Sequence, residues 1–129
     1  MTHALKLLLL LPALALLLNG CGGKGQKETT RPLPTGPTSL RVENNNWLDV
    51  TIYVVHDGQR SRLGAATAAR TTDFAIQPAQ LGQLGAIRLI ADPVGSPKAI
   101  ASPTVVVKAG ARLVWTLQSD LSRSSLAVY

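Results

Sequence analysis

A strict two-residue alternation at residues 47–55 sets Leu48, Val50, Ile52 and Val54 on one face against Trp47, Asp49, Thr51, Tyr53 and Val55. Period two with β-branched side chains is the signature of a strand with one buried face. Shorter segments of the same grammar follow. Leu40 and Val42 alternate in 39–43, Phe74 and Ile76 in 71–77, Ile87 and Leu89 in 86–91, and Leu113, Trp115 and Leu117 in 112–119. Between them stand turn signals: Asn44-Asn45-Asn46, Asp57-Gly58, Pro78, Gly82 with Gly85, and a 92–103 connection holding three Pro. Asp-Gly between two alternating runs predicts a tight hairpin. No window of twelve residues carries a helical period; the Ala-rich patch 65–69 follows Gly64 and reads as a turn or bulged strand.

About seven strands at this spacing in residues 38–129 predict an all-β fold: a single small antiparallel β-sandwich. Residues 104–108 and 112–119 are expected to close it as a pair around Ala109-Gly110, and Leu81 and Leu84 to tuck under their loop. The pattern resembles the immunoglobulin-like class in architecture, without its paired Cys, and that resemblance implies a Trp in the central core, either Trp47 or Trp115. Such an architecture carries no activity with it. Membrane-spanning barrels need at least eight strands of ~9–11 residues, and only 47–55 and 112–119 approach that length.

The front of the chain is of another kind. Lys6 is the single charge ahead of residues 7–18, which are Leu, Ala and one Pro. Twelve apolar residues fall short of the roughly 20 needed to cross a bilayer, and match the core of a cleaved export signal. The run ends Leu18-Asn19-Gly20-Cys21. This resembles the lipobox of bacterial lipoproteins, with an aliphatic residue three before the Cys and a small one directly before it. The resemblance implies a signal peptide at 1–20, cleavage before Cys21, and covalent lipid on Cys21, the first residue of a palmitate-bearing membrane protein. Two or three acyl chains hold a protein to a membrane essentially for good. Gly22 after the Cys resembles the pattern sorted to the outer membrane in a Gram-negative cell envelope.

Cys21 is also the only Cys, which excludes an intrachain disulfide and cysteine-rich metal sites. Residues 21–37 then form the lipidated Cys and a tether. The stretch 22–37 has four Gly, three Pro and one large apolar side chain, Leu33. It cannot bury enough surface to offset its ordering, so it is expected to run as flexible coil stiffened by Pro32, Pro34 and Pro37. Its 16 residues would span roughly 20–24 Å on average and ~55 Å at full stretch.

Chemistry is sparse. His56 is the only His outside the leader, it flanks the Asp57-Gly58 turn, and it is expected to be exposed there. No G-x-S-x-G elbow, phosphate loop or calcium-loop motif is present. Asn44–Asn46 are explained by turn chemistry, because Asn tolerates left-handed backbone. The formal charge is +6, or +5 once Lys6 is removed with the leader. Arg60 and Arg62 share one strand face, which protects a sheet edge or meets an anionic partner. Nucleic acid is excluded by the expected location and by the lack of stacking aromatics among the basic residues. Trp47 and Tyr53, with Val55, form either a small partner-binding patch or the inner face of a sandwich corner. The sequence therefore points to a non-enzymatic envelope module without cofactor, accessory to a protein partner, with Trp47, Tyr53, Arg60 and Arg62 as candidate binding residues. The alternative is a glycan- or peptidoglycan-binding module, which would require exposed, coplanar aromatics.

Overall fold

Each alternating segment forms a strand, and burial follows the alternation. In the computed structural model, which describes residues 36–129, β1 (Thr38–Asn44) buries Thr38, Leu40, Val42 and Asn44. β2 (Val50–His56) buries Val50, Ile52 and Val54, and β5 (Ala86–Pro93) buries Ile87, Leu89 and Ala91. β8 (Arg112–Leu117) buries Leu113, Trp115 and Leu117. The signal peptide, lipobox residues Leu18, Asn19 and Gly20, the Cys21 anchor and most of the expected tether lie outside the described residues.

The other strands are β3 (Gln59–Ala66), β4 (Arg70–Ile76), β6 (Ile100–Ala101), β7 (Val105–Val106) and β9 (Ser125–Val128). Seven strands are of four residues or more; β6 and β7 are two-residue pairings along β5. They make two sheets, ordered β4-β1-β8-β9 and β3-β2-β5-β6, with β7 also on β5. The inward faces of both sheets supply one core cluster, so the domain is a small β-sandwich. Trp115, 1% exposed, takes the central aromatic position, and Trp47 is 83% exposed.

Three expectations need correction. The sandwich is not wholly antiparallel: β1 and β8 pair in parallel, with Val42 beside Trp115 and Leu40 beside Leu113. Strand β1 is therefore interior to its sheet and separated from β2, unlike the immunoglobulin arrangement, in which the first two strands share a sheet. The expected closing pair does not form either. Val105–Val106 stays on β5, and residues 107–111 carry the chain across to the other sheet, Val107 N–H bonding Gly85 O at 2.8 Å and Ser39 N–H bonding Ala111 O at 3.0 Å. Lastly, Leu81 is buried as expected but Leu84 is 81% exposed.

Local chemistry explains the connections. Asp57 and Gly58 have φ of 47° and 75°, the left-handed pair that a two-residue hairpin demands. Along β3 the pairing slips so that Leu63 is the extra residue, a bulge that turns it toward the core. Next to it, a Cβ on Gly64 would stand 2.7 Å from the Phe74 ring, so the glycine lets that ring close the gap between β3 and β4. Arg41 and Asp73 face each other across β1 and β4, with bonds of 2.8 and 3.2 Å. Hydrogen bonding to Arg41 holds the Asp73 carboxyl below its ordinary range.

Candidate functional site

Strand directions sort the loops into two groups. β1, β3, β5 and β8 run toward one end, where loops 45–49, 67–69, 94–99 and 118–124 gather. The first loop contains Trp47. The alternation of 47–55 predicts a strand from Trp47, yet the ladder begins at Val50, because two Asn side chains take over the backbone before it.

Asn44 continues the buried series of β1 and is 1% exposed. Its Nδ2 donates to Leu48 O at 2.9 Å and Ala66 O at 3.0 Å, and its Oδ1 accepts from Asn46 N–H at 3.0 Å. Asn46, 7% exposed, accepts from Leu48 N–H at 3.0 Å and donates to Gln118 O and Ser119 O at 3.3 and 3.0 Å. Neither residue has positive φ, so side-chain bonding rather than left-handed backbone explains this Asn run. Further bonds tie the neighbours: Ser119 Oγ to Asn45 O, Ala68 N–H to Asp49 Oδ1, and Val94 N–H to Asp49 O. Four loops are thereby fixed around a single exposed indole.

Below Trp47 lies an open groove of about 750 Å³, lined by Leu48, Pro93, Lys98, Ile100 and residues 119–122. Its polar groups serve the loops themselves. Asp120 Oδ1 accepts from Ser122 N–H at 3.1 Å and Ser122 Oγ at 2.7 Å, capping the 3-10 turn Leu121–Arg123, and these bonds hold its carboxyl below the usual range. Lys98 is an exposed cation on the rim.

The other candidates lie elsewhere. Tyr53, Arg60 and Arg62 sit on the outer face of β2 and β3, where Arg62 is directly opposite Tyr53. The Arg60 guanidinium stacks 3.6 Å from the centre of the Tyr53 ring and lies 3.6 Å from Asp92 Oδ2. Arg60 is thus engaged within the sheet face, and the ring beneath it is covered. That face is an outer one, not the inner face of a sandwich corner. Trp47 is apart from these three, so the four residues do not form one patch.

His56 is not exposed: its side chain is 11% accessible, and its buried Nδ1 has no hydrogen-bond partner. Asp57 Oδ2 stands 3.5 Å away, beyond good hydrogen-bond geometry. Both pack against Gly82, where a Cβ would meet the Asp57 carboxylate at 2.6 Å and His56 Nδ1 at 3.2 Å. No cluster of three His, Cys, Asp or Glu side chains that could hold a metal occurs among the described residues.

Asn44 and Asn46, which build the site, were hidden behind their turn reading. The available signal was that Asn44 extends the buried series Leu40, Val42, where a polar residue must find partners. Truncating Asn46 strands Leu48 N–H and removes the tie to loop 118–124, at a cost of about 1–3 kcal/mol. Asn46→Ala is therefore expected to lower Tm by several degrees, at roughly 4–8 °C per kcal/mol in a domain this size. Thermal scans by circular dichroism check this; an unchanged Tm would show the network to be dispensable.

No family model matches the chain, and no curated protein matches it. Among solved structures it is similar to an NMR structure of a protein from Eubacterium rectale, with 17% identity over 72% of this chain and 86% of that one and a TM-score of 0.40.

Proposed function

We propose that this protein is a lipid-anchored component of the bacterial cell envelope whose sandwich presents the Trp47 end to a protein partner, as a non-enzymatic accessory or assembly module. The observation that carries this reading is an indole 83% exposed on a loop held by buried Asn44 and Asn46. An exposed Trp on a floppy loop would lose entropy on binding; one already fixed loses little, which is how aromatic anchors act in interfaces. The anchor rests on the Leu18-Asn19-Gly20-Cys21 motif.

A two-aromatic stacking platform, which a glycan-binding role would favour, has no support at this end: Trp115 is buried and Tyr53 lies under Arg60 on another face. Mild crosslinking of native membranes followed by purification tests the partner reading. A discrete protein adduct is expected with the wild-type chain and not with Trp47→Ala; a product free of partners in both would contradict it. The anchor has a separate test. Cys21→Ser is expected to abolish palmitate labelling and release the protein from the membrane, and unchanged retention would remove the lipoprotein reading.

A further inference from the structure

The end opposite Trp47 carries a second unusual surface. Thr38, loop 77–85, segment 107–111 and the last residue of β9 all lie there, by the strand directions given above. Leu84 is 81% and Val106 73% exposed, on either side of a largely apolar groove of about 480 Å³ floored by Leu81 and Val107. Their exposure is built in. Gly85, with φ of 64°, lies so close to the Val107 carbonyl that a side chain would not fit, and Val107 N–H bonds Gly85 O at 2.8 Å. This clamp holds the turn that carries Leu84 against the strand that carries Val106. Tyr129, 76% exposed, lies at the same end on the other sheet, held by paired backbone bonds with Arg112. Residues 77–85 and 103–111 contain no carboxylate, and their one charge is Lys108.

We propose that this end docks on an anionic phospholipid surface, inserting Leu84 and Val106 among the headgroups with Tyr129 at the polar boundary. The inference rests on the lipid-anchored reading, since the chain that leads to Cys21 joins the domain at this end, at Thr38. The 16 residues between Cys21 and Thr38 can reach at most ~55 Å, which limits how far an anchored patch can stand from the bilayer. Charge leans the same way: Lys108 and Arg112 at this end outnumber the one turn carboxylate, Asp57, and the connecting sequence carries Lys24, Lys27 and Arg31 against Glu28, a balance that favours anionic headgroups. Exposed aliphatics beside Tyr and basic residues are the chemistry of a membrane interface. Docked so, the domain points Trp47 away from the membrane.

The test reconstitutes the purified full-length protein in vesicles of phosphatidylcholine and phosphatidylglycerol with brominated acyl chains, which quench indoles at the bilayer. Leu84→Trp in a Trp47→Phe background, read as the difference from the Trp47→Phe parent that keeps only buried Trp115, is expected to add blue-shifted emission quenched by the brominated chains, and Val106→Trp to repeat it from across the groove. Wild-type Trp47 is expected to remain unquenched. A protein that pellets with the vesicles but shows no quenching at position 84 or 106, or quenching at Trp47 instead, would overturn the docking alone. A protein that does not pellet would overturn the anchored reading and the docking with it.

Discussion

Trp115→Ala is expected to destabilise the domain by about 3–5 kcal/mol, the range for removing a large aromatic from a closed core. Trp115 is the largest fully buried side chain, it lies between Leu113 and Leu117 on β8, and its strand pairs with β1 on one side and β9 on the other. Its loss opens a void where the parallel pair joins the antiparallel pairs β4-β1 and β8-β9. Nothing adjacent can refill it without moving β1, whose Leu40 and Val42 are fully buried. Small domains have only about 5–15 kcal/mol in total, so much of the stability would go. Urea unfolding followed by far-ultraviolet circular dichroism reads the effect, with Trp47 still present as an exposed fluorophore. A loss below about 1 kcal/mol would mean that the centre of this sandwich is held by something other than the indole.

Trp47→Ala is expected to do the reverse: nearly nothing to stability and a great deal to binding. Surface truncations away from caps and networks stay within about 0.5 kcal/mol, and the Trp47 side chain makes no hydrogen bond that holds the loop, that work being done by Asn44 and Asn46. In an interface, an indole at the anchor position contributes about 2–4 kcal/mol on truncation, roughly thirty-fold to several hundred-fold in Kd. Titrating the partner recovered by crosslinking against both forms measures it. Equal affinities would shift the site to the groove beneath, around Lys98 and Ile100. A fall in Tm would instead make Trp47 part of the scaffold.

The fold was legible wherever its cause is local. Alternation wrote the strands, and Asp57-Gly58 wrote the hairpin with its two left-handed residues. Pairings between distant segments left no such mark. β1 and β8 lie some seventy residues apart, and a parallel neighbour in mid-sheet asks of Leu40, Val42, Leu113 and Trp115 only what an antiparallel one asks: burial on one face. The expected closing pair failed for the same reason. Val105–Val106 satisfies its backbone on β5, while Ala109-Gly110 turns the chain between sheets instead of within one. At the site, period two overran its proper start. Trp47 and Asp49 fit the pattern of β2, but the amides of Asn44 and Asn46 compete for Leu48 and hold it out of the ladder. The same amides turn an apparent strand residue into an exposed loop residue. Alternation sets Tyr53 with Val55 on one strand face and Arg60 with Arg62 on another, but the stacking of Arg60 on Tyr53 depends on rotamers that spacing does not specify.

The Trp47 end is proposed to receive a protein. This is tested most directly by placing a photo-crosslinking amino acid at position 47 in living cells, with the exposed position Ala75 on the outer face of β4 as control. One adduct of discrete mass is expected from position 47 and none from 75. Absence of a protein adduct at 47, or the same adducts from both positions, would contradict it.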